Sequence, residues 1–413
     1  MQEKTSGLSM TTKIVLAMFL GILFGYFFPS YVDYISFLGD IFLRLIQMGI
    51  VFLVMGQIIE AIGNLQISQL GKIGLRTIIV FLVSSTLASA WGVLFGILFK
   101  PGSGINQTVD SDVVIESAEQ MPFTEVFTNF FPQNIMESLA NGTIVQIIVF
   151  AIFFGIAVSL QKEKTKAVFL PVLVDFNAII LEMIRFIMGF APVGIFALLA
   201  STISDYGVSV IMPLLSYLIV YAGATLLFLL IWIVIISLYL KISPILLIKK
   251  MGRMSILAMA TTSSAITLPI AMEDTEANLG LHSEVSRIVL PLGMSLNSNG
   301  SAMFMSITLI TIAQIYGVTY GFSQLFYIVL LSTFASLANA VVPGGGLISL
   351  SIVVPQMGLP IESIAIFAGV EWFTGIIRTI LNVNSDVYSA LIVGQSMDQI
   401  DRRTLLDEQI VKQ

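Results

Sequence analysis

Glu371-Trp-Phe-Thr-Gly-Ile-Ile-Arg378-Thr-Ile-Leu-Asn382-Val-Asn384-Ser-Asp386 is a charged, amide-rich run, and apolar residues flank it on both sides, at 361–370 and 387–393. Read as one membrane helix, it places ionisable groups where each costs about 2.5–3.5 kcal/mol to insert, so such groups are rarely without a task. Glu371, Arg378, Asn382 and Asp386 follow one another at spacings of seven, four and four. At about 3.6 residues per turn they fall close to one helical face. Two readings fit that stripe. It is a set of structural ion pairs between packed helices, or a lining that binds a small anion and cations within a membrane. Intramembrane charge marks a pathway by default, which favours the second.

Composition narrows the class. The 413 residues are 57% hydrophobic and 11% charged, with a mean hydropathy of +0.97. A soluble domain is about a quarter charged, and several stretches here approach or exceed the roughly 20 apolar residues that span a bilayer. The chain reads as a polytopic, all-α membrane protein, which excludes a soluble enzyme. Its net charge of −6 comes with no polybasic run, so nothing points to nucleic acid. The absence of cysteine excludes disulfides and thiolate-bound metals. The one histidine, His282, expected in a surface loop or at a helix start, cannot alone make a zinc site. No small-residue cleavage site closes the first apolar run, which reads as a retained span rather than a signal peptide.

Working outward, spans are expected at 13–30, 37–63, 76–99, 143–160, 167–201 and 208–242. The long fifth span carries Glu182 and Arg185 one turn apart, a pair expected to neutralise itself. Basic residues gather before span one, between spans two and three, between four and five, after six and at the end of the chain, as Lys13, Arg76, Lys164, Lys250 and Arg403 illustrate. The segment 101–131 is acidic instead. Alternating topology puts the basic loops on one side, so both termini are expected in the cytoplasm of a cell, prokaryotic in our reading, with the protein in its plasma membrane.

The second half breaks the pattern. Residues 256–272 are too short and too rich in Ser and Thr to span, and suit a hairpin that dips in and returns. A second such element contains Val342-Pro343-Gly344-Gly345-Gly346 between apolar arms at 322–335 and 347–356. Pro followed by three Gly breaks any helix. Span seven, 285–315, carries its own interruption, Gly293-Met-Ser295-Leu-Asn297-Ser298-Asn299-Gly300-Ser301. Broken backbone at membrane depth survives where it lines a cavity or is buried in protein, and paired broken segments point to a transporter's substrate site. The freed carbonyls and amides are hard donors suited to an alkali cation. Arg378 is a fork that can hold a carboxylate. Cations that neutralise buried carboxylates, and an anion that neutralises the arginine, would let the site cross a low-dielectric layer without bare charge.

These elements, in this order, resemble the dicarboxylate/amino acid:cation symporter family, which includes the glutamate transporters, over nearly the whole chain. Ser263-Ser264 and Thr267-Leu268-Pro269 are similar to its first hairpin, Leu290-Pro291-Leu292-Gly293 and Asn297-Ser-Asn299-Gly300-Ser301 to its seventh-span break, Val342 to Gly346 to its second hairpin tip, and Arg378-Thr379-x-x-Asn382-Val383-x-x-Asp386 to its eighth-span signature. The resemblance implies eight transmembrane helices plus two re-entrant hairpins, a homotrimer, and elevator-type alternating access with the second hairpin as outer gate. Residues 1–242 would be mainly scaffold and trimerisation region, with spans three and six joining the transport domain; 243–398 would be the transport-domain core and 399–413 a cytoplasmic tail. By motif position, Arg378 with Ser301 would hold the substrate's distal carboxylate, and Ser263, Ser264 and Asn382 the other. Thr379, Gly375, Val342 and Gly346 would also line the substrate. One sodium would use Asp386 with backbone oxygens of Gly293, Asn297 and Asn382. A second would sit near Ser295, Ser298, Ser336 and Asn339. No covalent cofactor is implied.

Two departures shape the expectation. Amino-acid carriers of this family have an aspartate one turn before the arginine, for the substrate ammonium; here that position is Gly375. A C4-dicarboxylate therefore fits better than aspartate or glutamate, unless Glu371, one turn further back, takes over. The family motif also has aspartate where this chain has Asn299, and Phe81 stands where tyrosine is expected beside Ser84 and Ser85. A third sodium site is expected to be absent, leaving about two coupling ions, with proton coupling through Glu371 or Asp386 as the alternative. An intramembrane carboxylate dyad fails on distance, since Glu371 and Asp386 are four turns apart, roughly 22 Å at 1.5 Å per residue. A channel fits the occluding hairpins poorly.

Overall fold

The computed structural model describes residues 10–64, 67–103, 128, 130–207, 211–337 and 345–408. Among them the chain is helical, apart from one isolated antiparallel bridge between Leu281 and Ile400. The first half gives α1 (Met10–Phe27), α2 (Ser36–Gly63), α3 (Ile67–Phe99), α4 (Ile135–Asn141), α5 (Ile144–Ser159), α6 (Glu163–Met188), α7 (Ala191–Tyr206) and α8 (Ile211–Leu240). Residues 36–63, 73–99, 163–188 and 211–240 are each long and apolar enough to cross a membrane. Most of the acidic 101–131 segment lies outside the described residues.

The fifth span departs from expectation. In place of one helix over 167–201 there are two, α6 and α7, parted at Gly189 and Phe190. Pro192 stands in the first turn of α7, where its missing N–H would have no intrahelical partner in any case, whereas Pro171 is carried inside α6. Glu182 and Arg185 do pair, at 3.1 Å and well exposed.

The second half forms α9 (Pro244–Thr261), α10 (Ser264–Ala277), α11 (Ser283–Leu296), α12 (Asn299–Ile315), α13 (Phe322–Ser336), α14 (Gly345–Val353), α15 (Ile364–Ala368), α16 (Glu371–Gln395) and α17 (Arg402–Leu406). Thr262, in the left-handed region at φ 49°, reverses the first hairpin, and the Ser263 hydroxyl accepts from Ile266 N to cap α10. The interruption expected in span seven falls at Asn297 and Ser298, between α11 and α12. His282 is the exposed residue preceding α11.

The charged run Glu371–Asp386 is expected to share one membrane helix with the apolar residues before it. It does not continue the helix of residues 361–368, because the chain bends by 87° at Gly369 and Val370. Glu371 therefore stands in the first turn of α16, where the exposed amide end of the helix favours a carboxylate. From there on the stripe reads as expected: Glu371, Arg378, Asn382 and Asp386 are all buried.

Packing sorts the helices. α1 lies on α7, and α2 on α5, α6 and α7. α3 packs instead on α12, α13 and α16, and α8 on α16 and α3, so both join the second half. Beyond α16 the chain turns back. Asp401 N donates to Gly280 O at 2.8 Å and His282 N to Gln399 O at 3.0 Å. Buried Lys250 donates to Asn278 O at 2.6 Å and Thr404 O at 2.7 Å. The end of the chain is thus tied to both arms' bases of the first hairpin.

Candidate functional site

Arg378 is 8% exposed and lies over the Phe304 ring, its Cζ 5.2 Å from the centroid. Its Nη2 donates to Glu371 Oε1 at 3.1 Å. Its Nη1 is buried and has no hydrogen-bond partner among the described residues. Glu371 Oε1 also accepts from Gly346 N at 2.8 Å; the Thr374 hydroxyl donates to Glu371 O at 2.9 Å and lies 3.3 Å from Oε2. A Cβ on Gly346 would run into Glu371 Oε2 and Arg378 Nη1, so any side chain here would have to displace that pair. At Gly375, by contrast, the nearest atom to an added Cβ is Arg378 Nη2 at 3.9 Å, so the position has room. The Thr379 hydroxyl is satisfied within the helix, by Gly375 O at 2.8 Å.

The break between α11 and α12 meets α16 and α3 one layer deeper. Gly300 N donates to Asn382 Oδ1 at 2.7 Å, and the Tyr221 hydroxyl to Gly300 O at 3.0 Å. Ser301 is fully buried and its hydroxyl has no partner among the described residues. Asn297 Nδ2 donates to Asp386 Oδ1 at 3.0 Å and to Ser389 Oγ at 3.3 Å, while its Oδ1 accepts from Ser84 at 2.8 Å. Asn299 Oδ1 accepts from Ser85 at 2.7 Å and lies 3.4 Å from the Ser84 hydroxyl, leaving its Nδ2 buried and unpartnered among the described residues. Asp386 lies against Gly293, where an added Cβ would come within 2.7 Å of its carboxylate. Ser264 and Leu268 of α10 share a small cavity with Asp386 and Val383.

The structure thus brings Gly346, Gly375, Glu371 and Phe304 to the Arg378 guanidinium, sets Asn382 on the break at Gly300, and brings Gly293 and Asn297 to the Asp386 carboxylate. Ser263 and Ser264 sit at the hairpin reversal. Ser298 is buried at the break; Ser295 is exposed and bonds back to Pro291 O at 3.4 Å. The Ser336 hydroxyl turns to Thr333 O at 2.7 Å. Asn339 and Val342 lie outside the described residues. No group of three His, Cys, Asp or Glu side chains that could hold a metal ion comes together among the described residues. Sequence reading missed Thr374, Phe304, Tyr221 and Ser389. Tyr217 and Tyr221, one turn apart in an apolar span, carried a signal, since buried hydroxyls need partners.

Comparison with known proteins adds an independent finding. The profile of the "Sodium:dicarboxylate symporter family" matches residues 10–396. The chain is 33% identical over 399 residues to the proton/sodium-glutamate symport protein of Geobacillus stearothermophilus, covering 93% of each. It is 31% identical over 416 residues to the proton/glutamate-aspartate symporter of Escherichia coli (strain K12), covering 96% of this chain and 95% of that one. It is 26% identical over 402 residues to the C4-dicarboxylate transport protein of Anaeromyxobacter sp. (strain K), covering 95% of this chain and 91% of that one.

Proposed function

The chain belongs to the sodium:dicarboxylate symporter family, an integral-membrane family of transporters and not of enzymes, and from that membership we propose that it couples a cation gradient to uptake of an acidic amino acid. The observation that carries this reading is Arg378: a buried guanidinium with one nitrogen unpartnered and the other shared with a carboxylate. Nη1 takes the substrate's distal carboxylate, with Ser301 alongside. Glu371 Oε2, which among the described residues has no donor nearer than the Thr374 hydroxyl at 3.3 Å, takes the ammonium. Ser263, Ser264 and the free end of the Asn382 amide take the second carboxylate. Asp386 with Gly293, Asn297 and Asn382 holds one sodium, and the backbone near Ser295, Ser298 and Ser336 a second. The glutamate and glutamate-aspartate relatives, at 31–33% identity, support this substrate class.

A second reading, C4-dicarboxylate uptake, rests on Gly375, which offers no charge at the position one turn before the arginine. The more distant dicarboxylate relative supports it. We place both termini in the cytoplasm, and α1, α2 and α4–α7 in a trimeric scaffold against which α3 and α8–α16 move. A sodium-jump uptake assay in proteoliposomes, with labelled aspartate, glutamate and succinate side by side, separates the readings. We expect aspartate or glutamate uptake that Arg378→Ala abolishes while the protein stays monodisperse in detergent. Succinate uptake without either amino acid establishes the second reading, and uptake that survives Arg378→Ala with unchanged affinity removes the arginine from the site.

A further inference from the structure

One oxygen, Glu371 Oε1, accepts from donors on two different elements: Arg378 Nη2 on its own helix at 3.1 Å and Gly346 N in the first turn of α14 at 2.8 Å. The contact is close-fitted, because the collisions of a Cβ at Gly346 would be with Glu371 and Arg378 themselves. Glu371 reaches this place from the first turn of α16, directly after the 87° bend, and the Thr374 hydroxyl, bonded to Glu371 O at 2.9 Å, lies 3.3 Å from its other oxygen. The position is therefore set by backbone geometry and a short side-chain network, not by a long free reach. A buried guanidinium without a counter-charge is strongly disfavoured. Glu371 supplies that counter-charge from within the chain.

We propose that Glu371, besides meeting the substrate ammonium, is a tethered carboxylate that neutralises Arg378 in the empty site and ties the first turn of α14 to it. Arrival of substrate at Arg378 and the seating of α14 are then coupled through one side chain. When a substrate carboxylate engages Nη1, the guanidinium is shared between two anions. The substrate ammonium takes Glu371 Oε2 while Oε1 stays on Gly346 N, so the filled site fixes the Glu371 side chain and, through it, α14. The proposal rests on the reading of Arg378 as the holder of the substrate's carboxylate.

The chain has no cysteine, so a single introduced thiol reports on α14 alone. Ile348, 1% exposed, lies one turn from its start. On an Ile348→Cys background, labelling by a membrane-impermeant maleimide is timed with Glu371, Glu371→Gln and Glu371→Ala, with and without saturating aspartate. Glu371→Gln keeps the shape and an acceptor for Gly346 N but removes the charge. Loss of a charged hydrogen bond predicts labelling at least about tenfold faster in Glu371→Ala without substrate, with a smaller rise in Glu371→Gln. Aspartate is expected to slow labelling when Glu371 is present, and to do so less in Glu371→Gln. Should Glu371→Ala fail to fold, the comparison of Glu371 with Glu371→Gln carries the test through substrate protection. Equal rates and equal protection across the variants, in protein whose uptake still requires Arg378, overturn the coupling and leave the anion reading standing. Aspartate protection that persists in Arg378→Ala overturns that reading and the coupling with it.

Discussion

Asn299→Asp is the perturbation whose outcome bears most directly on ion coupling. Asn299 is fully buried, with Ser85 donating to its Oδ1 at 2.7 Å, and its Nδ2 has no partner among the described residues. The substitution keeps the shape, keeps the Ser85 donor and replaces an orphaned N–H with a second oxygen. Burying the new charge costs several kcal/mol. Charging the acceptor strengthens its hydrogen bond from Ser85 by about 1 kcal/mol, and removing the orphan returns about 1 more. The variant should therefore be roughly 1–4 kcal/mol less stable than the parent when no cation is present. Sodium that binds the new carboxylate restores about 2.7 kcal/mol at a hundred times its Kd. The assay is thermal unfolding in detergent, in sodium and in choline, followed by sodium flux per substrate in proteoliposomes. We expect the variant's Tm to rise far more with sodium than the parent's, and its ion count to increase by one. A parent that already couples three sodium ions refutes the reasoning, as does a variant with no added sodium dependence.

Three further outcomes are expected. Gly293→Ala forces a Cβ to within 2.7 Å of the Asp386 carboxylate; half-saturating sodium should rise at least about tenfold with little change in unfolding midpoint, since the clash displaces a ligand rather than the core. Lys250→Met strands two main-chain carbonyls that the ammonium now satisfies; at about 1–3 kcal/mol each, the loss should appear as faster hydrogen exchange across residues 399–406. The Asp401 carboxyl is held below its ordinary range, first by the Thr404 hydroxyl and then by Arg403 N. A lowered folded value means that its contribution is present above the ordinary carboxylate range and is lost as pH falls through the lower value. Amide exchange in α17 should quicken over that acid window, and Asp401→Asn, still a good N-cap, should remove the pH dependence.

The stripe on α16 was legible because charge in an apolar run is rare enough to be read one residue at a time, and the helical period then places it on one face. The interruption at Asn297 was legible for a similar reason, since Gly, Asn and Ser cluster where the surrounding pattern demands Leu and Ile. The bend before Glu371 was not. Ile361 to Val370 is continuously apolar, and Gly369 alone does not distinguish a tolerated helical glycine from a corner. The restart at Ala191 was visible only as Pro192, which a composition window averages away. The bond from Gly346 N to Glu371 joins residues 25 positions apart through a main-chain donor, and no side-chain pattern encodes it. The same holds for Ser84 and Ser85: their place in span three was readable, but their aim at Asn297 and Asn299 follows from packing of α3 on α12.

The charges of the site constrain what it can carry. Among the described residues, the buried ionisable groups around the guanidinium and the break are Glu371, Arg378 and Asp386, a net of minus one when all are ionised. Asn299 adds nothing to that sum. Crossing the membrane with unbalanced charge costs at least about 2.5 kcal/mol per group, so the loaded site is cheapest to move when neutral. An acidic amino acid brings minus one and calls for two monovalent cations; a dicarboxylate brings minus two and calls for three. Both cycles move one net positive charge inward, so current alone does not separate them, but the ion count does. With one net charge per cycle, a tenfold sodium gradient shifts the reversal potential by about 59 mV per coupled ion, hence about 118 mV for two ions and about 177 mV for three. A shift near the lower value with aspartate supports the acidic amino acid as cargo and Glu371 as its ammonium partner. A shift near the upper value with succinate returns Gly375 to the centre of the specificity argument. A sodium-independent reversal potential means that protons, not sodium ions, neutralise Asp386.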